Sequence, residues 1–252
     1  VNALLIAGTD TDAGKTVVMS ALAAYWQTYW STERLGIFKP IQSGVGDCER
    51  YSQLFGLDPA EVTPVRFEAP LAPPIAAERE GRTVAVEFAW QAFEQLCRSR
   101  DFVLVEGLGG LGAPVTRETT VADLAWDWRL PTVLVVPVRL GAIAQAVANV
   151  ALARQSKIHL KGIILNCTDP QSEQEIADFA PVKLIESLTH IPVSGIFPHV
   201  SNLMDIPQLA QAASQLDLER LFPGNLCRFS DPKYRTKVVE IAQSRTDWTG
   251  MD

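Results

Sequence analysis

Residues 3–16 constrain this chain more than any other stretch. Ala3-Leu4-Leu5-Ile6-Ala7 is a short apolar run. It passes into Gly8-Thr9-Asp10-Thr11-Asp12-Ala13-Gly14-Lys15-Thr16, a small, polar loop bracketed by glycines, and a helical pattern follows. A strand, a glycine-bracketed loop and a helix start, in that order, make a cradle for phosphate. Successive backbone N–H groups turn toward the anion, and the helix N-terminus adds partial positive charge. In such a cradle Lys15 reaches the outer phosphates and the Thr16 hydroxyl sits on Mg2+. The loop departs from the usual spacing: five residues separate Gly8 and Gly14, and Thr9 stands where the first glycine is expected.

The rest of the chain alternates short apolar runs with helical spacing. Helices are expected at residues 15–30, 49–55, 84–98, 121–128, 141–155, 173–188 (interrupted by Pro181) and 207–218. Strands are expected at 3–7, 35–38, 102–105, 131–138, 160–165 and 192–197. Residues 41–48, the proline-bearing segment 63–74 and the glycine-rich segment 107–114 read as loops. Strands that are apolar throughout, each followed by a helix, predict an α/β fold: a single-domain P-loop NTPase-type parallel sheet with helices on both faces. The domain is expected over residues 1–223. Residues 224–252 form a polar C-terminal extension without an assigned role, read as partly disordered or as a short terminal helix.

Composition narrows the function classes. At 252 residues the chain can bury a sizeable core. A net charge of −7, with no run of Lys and Arg, argues against nucleic acid as a partner. No apolar stretch reaches the ~18 residues that a bilayer span needs, so no membrane association is expected. The N-terminal apolar run lacks a basic lead-in and a cleavage site, and it reads as a first strand. Cys48, Cys97, Cys167 and Cys227 are scattered and form no Cys-x-x-Cys, which disfavours structural zinc and a disulfide framework and suits a reducing cytoplasm. His159, His190 and His199 are equally scattered, and no Gly-x-Ser-x-Gly elbow supports a hydrolase triad.

In open parallel sheets, ligands bind beyond the carboxyl ends of the strands. The polar residues that fall there are Thr11, Asp12, Lys15 and Thr16 after the first strand, and Lys39 and Ser43 after the second, with Asp47 further on. Glu106 ends the strand at 102–105 and is followed by Gly107, Leu108 and Gly109. Asn166 ends the strand at 160–165, and Pro198 and His199 follow the last strand. Lys39 reads either as a surface lysine or as a second cation that neutralises charge during phosphoryl transfer. Asp47 reads as a turn residue or as a metal ligand. Glu106, at the end of an apolar strand, is hard to explain as solvated surface; with Thr16 and a second carboxylate it would suffice for Mg2+, which keeps several waters. Asn166 either terminates its strand or reads an adenine edge. Cys167 reads as packing.

Three motifs in order resemble the dethiobiotin synthetase family: residues 8–16, Lys39-Pro40-Ile41-Gln42-Ser43-Gly44, and Val105-Glu106-Gly107-Leu108-Gly109-Gly110. The likeness continues through 130–136 and Leu140-Gly141 and covers roughly residues 3–220. That family has the same longer loop. The resemblance implies a ligase that uses ATP to join CO2 to the diamine 7,8-diaminopelargonate. One amine forms a carbamate, ATP phosphorylates it, and the second amine closes the ureido ring and expels phosphate. It implies that Lys15 and Lys39 stabilise the transferring phosphoryl group and that Thr16, Asp47 and Glu106 hold Mg2+. Asp12, Ala13, Gly14, Lys15, Thr16, Val17, Asp47, Glu106, Gly107, Leu108, Gly109, Asn166, Cys167, Pro198, His199 and Val200 would surround ATP. Thr11 and Ser43 would contact the carbamate end of the substrate. A homodimer is implied, with Gly141 and Ala142 of a neighbouring subunit lending a helix start to the substrate carboxylate. Many members carry Asn-His two residues further on. This chain has Ala144-Gln145, so recognition of that carboxylate would rest on backbone N–H groups or on Gln145.

Two other functions share such a core. Partitioning-type ATPase switch proteins carry a lysine four positions before the second glycine of the loop, where this chain has Asp10. Amidoligases of the cobyrinate type add a glutaminase domain, for which no residues remain. A plain nucleotide-binding module would not need the polar rim.

Overall fold

A computed structural model describes residues 2–30 and 34–223 of the chain. The chain divides after Leu221. Of the second unit only Phe222 and Pro223 are described, so the expectations for 224–252 and for Cys227 lie outside the described residues.

The first unit is built on strand β1 (Ala3–Gly8), whose six residues are all buried. Helix α1 (Lys15–Tyr29) follows the loop, then strands β2 (Leu35–Phe38) and β3 (Ile41–Ser43) and helices α2 (Asp47–Phe55) and α3 (Pro59–Val62). After strand β4 (Val65–Phe67) come helices α4 (Pro73–Arg79) and α5 (Val86–Ser99), strand β5 (Phe102–Gly110) and helix α6 (Val121–Asp127). Strand β6 (Thr132–Pro137), helix α7 (Ala142–Gln155) and strand β7 (Leu160–Asn166) continue the alternation. Helices α8 (Glu173–Phe179) and α9 (Val182–Thr189), strand β8 (Val193–Phe197), and helices α10 (Ile206–Ala213) and α11 (Leu218–Leu221) complete it.

Six strands form one parallel sheet in the order β2-β5-β1-β6-β7-β8. Alternation along each strand sends side chains to opposite faces. Ala3, Leu5 and Ala7 of β1, Val103 and Val105 of β5, and Leu134 and Val136 of β6 belong to a core completed by Phe93 of α5, Ala122 of α6, Val150 of α7 and Ile185 of α9. The alternate residues face α1: Trp26 stacks on Phe102 with ring centroids 5.6 Å apart. Each such large apolar side chain removed from water contributes about 1.5–3 kcal/mol. Helices on both faces of a parallel sheet are what these mostly apolar strands require.

The short pieces of chain differ from expectation. The segments 41–48 and 63–74 are not loops throughout. Ile41–Ser43 and Val65–Phe67 pair in parallel as a separate two-stranded sheet, with Ile41 opposite Val65 and Ser43 opposite Phe67. Strands of three residues are too short for a period to show, and the flanking prolines mask them. Residues 107–110 are also not loop: β5 runs on to Gly110, which pairs with Gly8 of β1. A Cβ on Gly110 would lie 2.7 Å from the Thr9 carbonyl oxygen, so a backbone without side chains lets the strand continue beside the loop. Pro181 does more than interrupt one helix. It separates α8 from α9, because proline cannot donate the backbone bond that would continue α8.

Candidate active site

The loop after β1 is fixed from several sides. Gly14 has φ 83°, and a Cβ there would fall 2.0 Å from Asn166 Nδ2, so only glycine fits both the turn and the neighbour. Asn166, buried at the end of β7, donates from Nδ2 to the Ala13 carbonyl at 2.8 Å. The opposite side is tied to the β6–α7 connection: the Arg139 guanidinium lies 2.5 Å from Asp10 Oδ2, and Thr9 Oγ1 donates to Gln145 Oε1 at 3.2 Å. Lys15 is buried and folds back on its own loop, its Nζ donating to the Asp10 carbonyl at 2.9 Å and to the Thr11 carbonyl at 3.1 Å. Burial pushes the Lys15 ammonium below its ordinary value, against the pull of Glu106.

Beside the loop, four polar side chains from four elements meet. Lys39 directly follows β2, Asp47 starts α2, Glu106 lies within β5 and Thr16 is on the first turn of α1. Lys39 is 4% exposed and Glu106 1%, and Lys39 Nζ donates to Glu106 Oε1 at 3.0 Å. Lys39 Nζ also bonds Asp47 Oδ2. Thr16 Oγ1 donates toward Asp47 Oδ1 and Glu106 Oε1, each at 2.9 Å. Burial opposes the charge on Lys39, but Glu106 and Asp47 outweigh it and its pKa is raised. Burial likewise opposes ionisation of Asp47, and Lys39 overcomes it, so that carboxyl is held below its usual range. A buried charge survives only when paired in this way.

Helix α2 is anchored behind the cluster. Gln42 Oε1 accepts from the Cys48 N–H at 2.9 Å, and Gln42 Nε2 reaches Glu49 Oε2 at 3.1 Å. Glu49 also accepts from the Gly46 N–H at 2.8 Å and pairs with Arg66 next to β4's Val65. The two-stranded sheet therefore holds the helix start that carries Asp47. Tyr51, one turn on from Asp47, is fully buried and donates from its hydroxyl to Glu106 Oε2.

Of the residues expected at the site, Thr16, Lys39, Asp47 and Glu106 are joined directly, and Lys15, Gly14, Ala13 and Asn166 are joined through the loop. Thr11 and Asp12 are exposed on the loop, and Val17 follows Thr16 on α1. Gly107 is buried, and Leu108 and Gly109 are half-buried along β5. Ser43 Oγ is buried without a hydrogen-bond partner. The Cys167 N–H donates to the Phe197 carbonyl at 2.9 Å, which aligns the ends of β7 and β8. Pro198, His199 and Val200 leave β8 there, with His199 Nδ1 3.0 Å from the Thr168 carbonyl oxygen. Gly141 and Ala142 begin α7 and reach the loop through Arg139 and Gln145. No described hydrogen bond joins them to the Lys39 cluster. Gln145 is engaged with Thr9 of the same chain. Among the described residues no three His, Cys, Asp or Glu side chains converge, so a metal here would have two carboxylates and a hydroxyl from the protein.

Sequence reading missed Tyr51, Gln42 and Arg139. Arg139 had a signal: it follows the apolar strand directly, at a carboxyl end. Tyr51 had none, because an aromatic four residues after Asp47 reads as the buried face of a helix.

The structural comparisons fit this arrangement. A ParA family ATPase from Chlorobium tepidum aligns with 87% of the chain and 96% of its own, at TM-score 0.53 and 14% identity. The MinD cell division protein of Aquifex aeolicus aligns with 88% and 92%, at TM-score 0.51 and 16% identity. At such identities the likeness concerns the fold alone. The AAA domain family model matches residues 2–207. The phosphate loop on a parallel sheet and that match place the chain among ATP-dependent P-loop enzymes.

Curated relatives define it further. The "ATP-dependent dethiobiotin synthetase BioD" of Gloeothece citriformis is 59% identical over 223 residues, 88% of this chain and 99% of the relative. That of Crocosphaera subtropica is 60% identical over 87% of this chain and 99% of the relative, and that of a Synechocystis strain 50% over 86% and 94%. The chain belongs to the dethiobiotin synthetase family, enzymes of the ligase class. Asp10 in place of a switch-protein lysine agrees with that assignment over a partitioning ATPase.

Proposed function

We propose that this chain carries out the reaction its relatives' name describes, ATP-driven closure of the ureido ring of dethiobiotin from 7,8-diaminopelargonate and CO2. The observation that supports it best is Lys39, buried between two carboxylates beside the phosphate loop. One amine of the diamine adds to CO2 and loses a proton, giving a carbamate. The carbamate oxygen attacks the γ-phosphorus of ATP and ADP leaves. The second amine attacks the carbonyl carbon of this mixed anhydride, phosphate departs, the nitrogen loses its proton and the ring closes. A carbamate oxygen is a poor leaving group until phosphorylated. The protein's work is to position reactants and neutralise charge, so no side-chain nucleophile is needed.

Lys15 and Lys39 supply the positive charge near the transferring phosphoryl group. Thr11 and Ser43 orient the carbamate, and the buried Ser43 hydroxyl is free to donate to it. Asn166, Cys167 and residues 198–200 flank the base, with Asn166 also bracing the loop. Thr16, Asp47 and Glu106 would hold Mg2+, which neutralises triphosphate charge when bound. The residues fit such an ion: one oxygen from each carboxylate meets the Thr16 hydroxyl, three hard oxygens in all, and both carboxylates already pair with a cation, the Lys39 ammonium. The substrate carboxylate lies at the start of α7 from a second copy, in a homodimer of the cytoplasm.

The direct test is to incubate the protein with ATP, Mg2+, bicarbonate and the diamine and to follow ADP and dethiobiotin. ADP release that depends on the diamine is expected. ATP consumption indifferent to the diamine overturns the assignment.

A further inference from the structure

Tyr51 has no role in the reaction as described, yet it is fully buried and its hydroxyl ends on Glu106. Helix α2 carries both Asp47 and Tyr51. They lie four residues apart, hence on one face. One carboxylate of the cluster thus sits on this helix, and the other is gripped by it. The two oxygens of Glu106 are used differently. Oε1 faces Thr16 and Lys39. Oε2 is taken by the phenol. A phenol carries its proton at neutral pH, so the Tyr51 hydroxyl is the donor in this contact.

Resting on the Mg2+ reading above, we propose that Tyr51 is a positioning residue that sets metal selectivity: by occupying Glu106 Oε2 it leaves one oxygen for a divalent cation. The physical reason lies in what the two common hard cations require. Mg2+ is small, keeps waters and takes near-octahedral geometry with a few oxygens. Ca2+ is larger, takes six to eight oxygens and readily uses both oxygens of one carboxylate. A carboxylate with one oxygen committed to a buried hydroxyl suits the first ion and denies the second its usual grip. The Lys39 contact is on Oε1, so it does not duplicate this restriction.

Calorimetric titration of the wild-type protein and of Tyr51→Phe with Mg·ATP and with Ca·ATP tests the idea. Wild type should bind Mg·ATP at least ~10-fold more tightly than Ca·ATP. Tyr51→Phe frees Oε2, and the preference should fall several-fold, mainly through tighter Ca·ATP binding. A general loosening of the fold would weaken both complexes and leave their ratio unchanged, and an unchanged ratio in a folded Tyr51→Phe protein overturns the proposal. If wild type fails to bind Mg·ATP at all, the nucleotide-site reading falls, and this inference with it. Should Tyr51→Phe not fold, difference infrared spectra of the wild-type carboxylates on adding each complex decide the matter. Splitting typical of single-oxygen ligation with both ions is expected; a two-oxygen signature with calcium overturns the proposal.

Discussion

Lys39 is held by two carboxylates at once, and this sets what its removal does. Lys39→Ala leaves Asp47 and Glu106 facing each other without their ammonium, but leaves the loop, Lys15 and Gly14 in place. ATP binding should therefore survive, while turnover falls at least ~100-fold, the scale of losing one charge-stabilising donor. Equilibrium ATP titration together with single-turnover kinetics would check this. If affinity collapsed and turnover per bound ATP did not, Lys39 would be a binding residue only. Lys39 and Glu106 were legible in the sequence because each stands where an apolar strand gives way to the rim, and a charge there needs a reason. Asp47 was ambiguous beside Gly46, and its meaning comes from the Lys39 contact. Tyr51 was invisible, since nothing in a sequence separates a buried aromatic that only packs from one whose hydroxyl meets a carboxylate.

At the scale of elements, helix α6 shows how local chemistry fixes a boundary. Thr120 accepts from the Asp123 N–H at 3.3 Å, and Asp123 accepts from the Thr120 N–H at 2.7 Å. Thr120→Ala should cost about 1 kcal/mol in urea unfolding. The Thr120 hydroxyl and N–H hold the Asp123 carboxyl below its usual 3.8. Its contribution is therefore present above that pH and lost as pH falls through the lower folded value. Replacing Asp123 by Asn should lower stability at neutral pH and change it little below the folded value, which flattens that part of the acid limb of a stability–pH curve; an unaltered acid limb would refute the link. The long elements could be read from periodicity because the six sheet strands are mostly apolar and each is followed by a helical pattern. The pair β3 and β4 could not. Its partners are 24 residues apart (Ile41 to Val65), and the pairing is a tertiary event that no local pattern announces. It matters all the same, since Gln42 and Arg66 on those strands hold the start of α2.

For the whole molecule, the sheet order puts β1 inside, with the chain leaving it toward β2 and leaving β6 toward β7. Connections diverge there, and the loop opens into that crevice. Helix α7 then presents Ala144, Val147 and Ala148 to solvent, next to Leu140, which is 86% exposed. A second copy covering this face would explain it. Sedimentation should find wild type as a dimer and Val147→Asp as a monomer with lowered affinity for the diamine. A Val147→Asp protein that remains dimeric would locate the interface elsewhere.

The hydrogen bonds of Lys15 within its own loop bear on what can bind there. The Lys15 ammonium donates to the Asp10 and Thr11 carbonyls, two of its three N–H groups. An anion that draws Lys15 onto itself must offer more than these two hydrogen bonds give up. A lone inorganic phosphate can compete for that ammonium but brings little else. A triphosphate brings contacts along its whole length. The fold-back that satisfies a buried cation would therefore favour a long polyphosphate over a lone phosphate at this loop.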